Sequence, residues 1–226
     1  MFTSNSIHKA ISLLALLCCI ICLSSFSLAV PVNRKGNFVQ IYKFLRPGCL
    51  IKDLNTVELF HATSMCYREK YGWSNSVCNG DYGIVQSLCT KGCGRCDSTR
   101  NVKVKGCVNT ATESTLTACG PLVIDIPDDM LWRLSYPWGD YASSCDVDKL
   151  APINVVSAKG QRINSCGPVA NSFSGEYSTT TCTNSYFTTT TYKDSGCKKP
   201  VGGYYGSSTG LLRCERYSDF KYTCNV

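Results

Sequence analysis

Alternation of apolar and polar positions marks several short strands along this chain. The clearest are Phe38 to Leu45, Asn101 to Lys105 and Phe187 to Tyr192, which are rich in β-branched and aromatic residues. Within the second run, Val102-Lys103-Val104-Lys105 alternates with period two, as a strand with one buried side does. A threonine-rich stretch, Thr179 to Thr191, also suits an exposed strand. These patterns predict a mainly β fold.

One stretch departs from this alternation and predicts a short helix near residues 55–70. Asn55 or Thr56 would cap the helix, and Glu58 would stand in its first turn. Apolar residues then recur at an approximately helical spacing as far as Met65.

The longest apolar run, Ala10 to Phe26, predicts export. It follows a polar start whose only full charge is Lys9, and Ser27-Leu28-Ala29 then offers the small residues that signal peptidase requires. We therefore predict a signal peptide at residues 1–29 and a secreted, extracellular mature chain. The alternative is an uncleaved membrane anchor, for which about 17 apolar residues are short. No later run has spanning length, so no transmembrane segment is expected after cleavage.

The charge of the chain is mildly basic. Lys and Arg number 23 and Asp and Glu number 16, which gives +7, and loss of Lys9 lowers this to +6. Such a charge serves solubility, and it also favours acidic polysaccharides or membrane surfaces as partners. Without a dense basic stripe, an exported chain is not expected to bind nucleic acid.

Cysteine is abundant, with 17 residues, of which three lie in the predicted signal peptide. The remaining even number allows seven disulfides and no free thiol in an oxidising compartment. Each bridge that closes a short loop would stabilise the fold by about 3 kcal/mol. The predicted disulfide cysteines are Cys49, Cys66, Cys78, Cys89, Cys93, Cys96, Cys107, Cys119, Cys145, Cys166, Cys182, Cys197, Cys214 and Cys224.

A repeated sequence pattern predicts two related cysteine-braced halves. In each copy a strand-like run leads to a Gly-Cys pair, Gly48-Cys49 or Gly196-Cys197, and sixteen residues separate that cysteine from the next. Coincidence is the alternative, because cysteine-rich chains match each other easily. A cysteine-free stretch after Cys119 is the best candidate for a junction. We therefore predict a cysteine-rich β domain at 30–120 and a second one, partly repeating it, at 121–226.

One group of cysteines and the single mature histidine are the candidates for chemistry. Cys93-Gly94-Arg95-Cys96 has the spacing of a thiol redox centre, and with Cys89 it has a zinc-like spacing. Export favours structural disulfides at these positions instead. His61 is the only histidine in the mature chain, and no nucleophile motif accompanies it. No catalytic residue, metal or cofactor is therefore predicted.

Clustered carboxylates and aromatic rings give the candidate binding residues. Aromatic rings stack on sugar faces, and carboxylates accept hydrogen bonds from sugar hydroxyls. A polar turn followed by core aromatics is the structural alternative. Two tyrosines in a glycine-rich loop add flat apolar contacts with polar tips. The candidates are Asp125, Asp128, Asp129, Trp132, Trp138, Tyr141, Tyr204 and Tyr205.

Three functions fit these observations. The first is a non-catalytic extracellular binding or matrix protein, whose partner is a glycan or a secreted or cell-surface protein. The second is a secreted protease inhibitor or effector that presents the disulfide-braced loop from Gly202 to Gly210. The third is a small secreted hydrolase that uses the carboxylates between Asp125 and Asp140.

Overall fold

The computed structural model describes residues 36–69, 71–137, 155–169, 175–183, 185–201, 207–210 and 220–224. Strands dominate these residues, and two short 3₁₀ turns lie at Ile51–Asp53 and Lys91–Cys93. The strands are β1 (Phe38–Phe44), β2 (Leu54–His61), β3 (Thr63–Glu69), β4 (Gly72–Asn79), β5 (Tyr82–Cys89), β6 (Cys96–Lys103), β7 (Gly106–Asn109), β8 (Ser114–Gly120), β9 (Met130–Ser135), β10 (Ser157–Arg162), β11 (Gly167–Pro168), β12 (Tyr177–Cys182), β13 (Tyr186–Tyr192), β14 (Ser207–Gly210) and β15 (Phe220–Cys224).

The strands form three antiparallel sheets. Sheet A has seven strands in the order β15-β9-β10-β2-β1-β8-β7. Sheet B has the order β3-β4-β5-β6, and sheet C has the order β11-β12-β13-β14. The prediction of a mainly β, disulfide-rich fold is confirmed. The predicted strands at 38–45, 101–105 and 187–192 correspond to β1, the end of β6 and β13.

The predicted helix near residues 55–70 is wrong, because this segment forms β2 and β3. Val57 and Leu59 of β2 face the main core, whereas Phe60 packs against a second cluster. Both faces of β2 therefore carry apolar residues. Such a strand loses the clean period-two pattern, and its apolar positions then resemble helical spacing.

The main hydrophobic core lies on one face of sheet A, which we call the core face. Trp132, Tyr42 and Leu59 are essentially inaccessible to solvent there. The chain between β8 and β9 contributes to the same core through Leu122, Ile124 and Ile126. At about 25 cal/mol per Å² of apolar surface, burial of these side chains is the largest stabilising contribution to the fold.

A buried glutamine holds the segment after β8 against this core. The Gln40 side-chain amide donates to the carbonyls of Gly120 and Pro121, at 2.9 and 2.7 Å. Its oxygen accepts from the Tyr42 hydroxyl at 2.6 Å and from the Val123 amide at 3.2 Å. Gln40 is fully buried and yet satisfied, which is the condition for burying an amide without a large cost.

The opposite face of sheet A receives both smaller sheets. Val39 and Ile41 of β1 form a cluster there with Val102 of β6, which belongs to sheet B. The contact is close, because a Cβ at Gly83 would overlap the Val39 side chain. At the other end, Leu131 of β9 clusters with Phe187 of sheet C. Sheets B and C therefore cover different parts of one face.

Six disulfides join twelve of the fourteen predicted cysteines. Cys78–Cys119 ties sheet B to sheet A, and Cys182–Cys224 ties sheet C to sheet A. Cys145 and Cys214 lie outside the described residues. The remaining pairs are Cys49–Cys107, Cys66–Cys93, Cys89–Cys96 and Cys166–Cys197.

Both predicted halves contribute to sheet A. Strands β1, β2, β7 and β8 lie within residues 30–120, and β9, β10 and β15 lie within residues 121–226. The division into 30–120 and 121–226 therefore stays a prediction about folding units. The internal repeat also stays a prediction. Cys49 and Cys197 share a positive φ, of 51° and 50°, but their disulfide partners stand on opposite sides in the sequence.

Candidate functional site

Two grooves lie on the opposite face of sheet A, beside the areas that sheets B and C cover. Lys43 lines both grooves, and we call the two together the trough. The first groove has a volume of about 380 Å³, within the range of roughly 300–1,000 Å³ common for ligand sites. Its lining residues are Ile41, Lys43, Arg100, Asn101, Val102, Lys103, Lys105, Val108, Thr115 and Thr117.

The second groove carries charges of both signs. Glu58 on β2 pairs with Lys159 on β10, and Lys159 pairs with Arg133 on β9. Directly paired residues project from the same face of a sheet, so these side chains form a row across the groove floor. Glu113 adds a second carboxylate, and Pro168 of sheet C adds an apolar wall.

An ion pair joins the trough to sheet B. The Arg100 guanidinium on β6 donates to the Glu58 carboxylate at 2.8 Å, with the two side chains 50% and 24% exposed. A pair with this exposure contributes only about 0–1 kcal/mol to folding. The pair also matters for Lys43, because Glu58, the carboxylate nearest to Lys43 along β2, already has Arg100 as its cationic partner.

The first groove is positively charged. Among the described residues that line it, Lys43, Arg100, Lys103 and Lys105 are cationic, and no carboxylate is present. All four are exposed. Like charges placed along a concave surface of low dielectric focus the local field and attract anions.

The walls of this groove are fixed by hydrogen bonds and by disulfides. The Thr117 hydroxyl on β8 donates to the Lys103 carbonyl at 2.7 Å and accepts from the Lys105 amide at 3.1 Å. Cys78–Cys119 and Cys49–Cys107 each place one cysteine on β8 or β7, the strands beneath the groove. The lysines therefore project from a backbone that is braced on both sides.

The carboxylate and aromatic residues predicted from the sequence lie elsewhere. Trp132 has no exposed surface and packs in the main core, so its ring is not accessible to a ligand. The Asp129 carboxylate accepts from the Arg162 guanidinium at 2.8 Å. Asp125 and Asp128 are exposed in the segment before β9. Neither groove of the trough includes any of these residues.

The other predicted binding residues fall where the structure gives no description. Trp138 and Tyr141, together with Asp140 of the hydrolase hypothesis, lie outside the described residues. The same holds for Tyr204 and Tyr205, and for part of the loop from Gly202 to Gly210. Their proposed roles stay predictions.

The cysteines with redox or zinc spacing form structural bridges. Cys93 pairs with Cys66, and Cys96 pairs with Cys89 across the paired strands β5 and β6. Within the part of the chain that the structure describes, no three His, Cys, Asp or Glu residues are arranged to hold a metal ion.

His61 is occupied in packing. Its ring lies against the Phe38 ring, with the ring centroids 5.4 Å apart. Burial lowers the pKa of His61 below the usual value near 6.5, because a charged imidazole is poorly solvated there. The contact with Phe38 and the partial burial of His61 indicate a role in packing.

The sequence pattern alone does not identify the lysines of the trough. They are far apart along the chain and are brought together only by strand pairing and by the packing of β6 on sheet A. One local signal is visible in the sequence. In Val102-Lys103-Val104-Lys105, two lysines alternate with two valines, which indicates two cations close to the buried part of a strand.

Comparisons with protein-family models, with curated proteins and with solved structures gave no match to this chain. Among the described residues, none of the helical segments has the length and apolar character needed to cross a bilayer. The trough and its disulfide-braced frame are therefore the features on which a functional proposal rests.

Proposed function

We propose that this chain is a secreted, non-catalytic binding protein whose ligand is an extracellular glycan. The observation that carries the proposal is the trough, a pair of grooves that share Lys43 and are lined by charged, polar and apolar residues on a disulfide-braced β scaffold. Linear polysaccharides present rows of hydroxyls, and they bind to surfaces that offer many polar groups along an extended path.

The lining of the trough suits this chemistry. Thr115, Asn101 and Gln161 provide hydroxyl and amide groups that both donate and accept hydrogen bonds. Val108 and Pro168 provide apolar surface for the non-polar faces of sugar rings. Disulfides on the strands beneath the trough reduce the ordering cost of binding, because the site is preorganised.

Among the described residues, the exposed aromatic rings are dispersed. A protein interface generally centres on a cluster of aromatic and arginine residues. Tyr71 and Tyr82 are exposed, but they lie near opposite ends of β4, and Tyr186 lies on sheet C. These exposed rings therefore form no single anchor for a protein surface.

The proposal is tested by binding of the full-length secreted protein to an array of purified polysaccharides and to a panel of secreted and cell-surface proteins. We expect saturable binding to at least one polysaccharide. Reduced and alkylated protein is the control, and it should not bind, because the trough depends on the disulfides. Absence of binding to every polysaccharide would overturn the proposal, and binding confined to proteins would replace it with the protein-partner alternative.

A further inference from the structure

We infer that the first groove of the trough recognises the anionic groups of an acidic glycan, that is, a polysaccharide carrying sulfate or carboxylate. This inference rests on the proposed function and specifies its ligand class. The observation behind it is the placement of cations from two different sheets around one groove.

The four cations reach the groove from separate parts of the fold. Lys43 projects from β1 of sheet A, where its paired neighbours Thr56 and Thr115 are neutral. Arg100 and Lys103 come from β6, the edge strand of sheet B. Lys105 follows β6 directly. The Cys78–Cys119 bridge joins the two sheets, and residues of both sheets line the groove.

The lysines of this group are available to a ligand. Lys43, Lys103 and Lys105 form no ion pair with any residue in the described ranges, and all three are exposed. Glu58, the carboxylate diagonal to Lys43, is held by Arg100 at 2.8 Å. Exposed lysines among the residues that line one groove make the potential there positive, and such a potential attracts a polyanion.

The lining beyond the first groove favours a chain over a small anion as the ligand. The second groove shares Lys43 with the first, and Lys159 and Arg133 stand there among Glu58 and Glu113. A linear glycan would place its sulfate or carboxylate groups against the three lysines. Its next sugars would lie along the mixed-charge floor, where hydroxyls find both donors and acceptors.

The test is titration of the full-length secreted protein with three probes in parallel: heparin as a sulfated glycan, polygalacturonate as a carboxylated glycan, and dextran as a neutral glycan. The test variant carries Lys43→Gln, Lys103→Gln and Lys105→Gln. The matched control carries Lys52→Gln, Lys91→Gln and Lys193→Gln, which remove the same charge from exposed positions outside the trough.

We expect wild-type protein to bind at least one acidic probe more tightly than dextran, with an affinity that falls as salt rises. The test variant should lose about tenfold or more in affinity at low salt, and the control about twofold or less. The comparison of heparin with polygalacturonate then identifies the anionic group.

Three results would overturn the inference. Equal losses in both variants would mean that only net charge matters. Binding of dextran as tightly as the acidic probes would refute the ligand class while leaving a glycan-binding function in place. Binding to none of the glycans, here and on the polysaccharide array, would refute the proposed function as well.

Discussion

The two Gly-Cys turns of this protein share a backbone conformation but differ in how they are held. Cys49 and Cys197 have φ values of 51° and 50°, and each forms a disulfide. In the first turn, distant side chains hold the backbone: Asn109 accepts from the Gly48 amide at 2.8 Å, and Ser114 accepts from the Cys49 amide at 2.9 Å.

The second turn is held from within. The Asp194 carboxylate accepts from the backbone amides of Gly196, Lys198 and Lys199, at distances down to 2.6 Å. The two Gly-Cys pairs of the sequence therefore share a backbone conformation. Side chains distant in the sequence hold the first turn, whereas the neighbouring Asp194 holds the second. Four experiments test this difference.

The largest effect is expected from removing each disulfide. The pair Cys49→Ala/Cys107→Ala opens a loop with a sequence separation of 58, and Cys166→Ala/Cys197→Ala opens one of 31. Chain-entropy arguments give about 4 kcal/mol for each, slightly more for the longer loop. Denaturant unfolding of the two variants measures these losses. A loss below about 1 kcal/mol for either pair would contradict its role as a brace.

The next effect concerns the buried hydroxyl under the first turn. The Ser114 hydroxyl accepts from the Cys49 amide and donates to the Arg46 carbonyl at 2.7 Å. Because Ser114→Ala leaves both backbone groups without this partner, we expect a loss of about 2 kcal/mol in unfolding free energy. Ser195→Ala, beside the second turn, is the control and should change little. Equal losses would show that the first turn does not depend on Ser114.

The glycines of the two turns should respond differently to alanine. Gly48 has φ of 106°, which an L-residue adopts only with strain, so Gly48→Ala should cost about 1–2 kcal/mol. Gly196 has no such φ, and an added Cβ there would meet the Asp194 carboxylate at 3.2 Å and the Lys198 side chain at 3.8 Å. Gly196→Ala should therefore cost clearly less. Thermal unfolding measures the difference, and the reverse order would refute the assigned geometry.

The smallest effect is a titration of the second turn alone. Hydrogen bonding from the Lys198 amide, supported by the Lys199 and Gly196 amides, lowers the pKa of Asp194 below 3.8. A lowered carboxyl pKa stabilises the folded state above pH 3.8, and this stabilisation is lost as the pH falls through the lowered value. The Lys199 amide resonance should follow that titration in NMR spectra, whereas the Cys49 amide, bonded by neutral Ser114, should not. A Lys199 midpoint at or above pH 3.8 would contradict the account.

The sequence predicted local structure better than long-range arrangement. The runs that became β1 and β13 were recognisable because their β-branched and aromatic residues are local features. The segment that became β2 was mistaken for a helix because its two faces pack against different clusters. An even cysteine count predicted bridges but not their pairing, which depends on the order of strands in the sheets.

The trough was beyond sequence reasoning for the same reason. Lys43 and Lys103 are sixty positions apart in the sequence, and only the packing of β6 over sheet A brings them to one groove. The sequence instead singled out Trp132, whose neighbouring carboxylates suggested a sugar site. Trp132 lies at a position of β9 that faces the core, so its ring is buried. The register of the strand determines this direction, and the composition of the sequence does not.

The most direct test of this disulfide pairing is mapping of the native protein by mass spectrometry without reduction. We predict the six bridges described above, including Cys49–Cys107 beneath the first turn and Cys166–Cys197 beneath the second. Free thiols at several of these twelve cysteines, or a different pairing of Cys78 and Cys119, would contradict it.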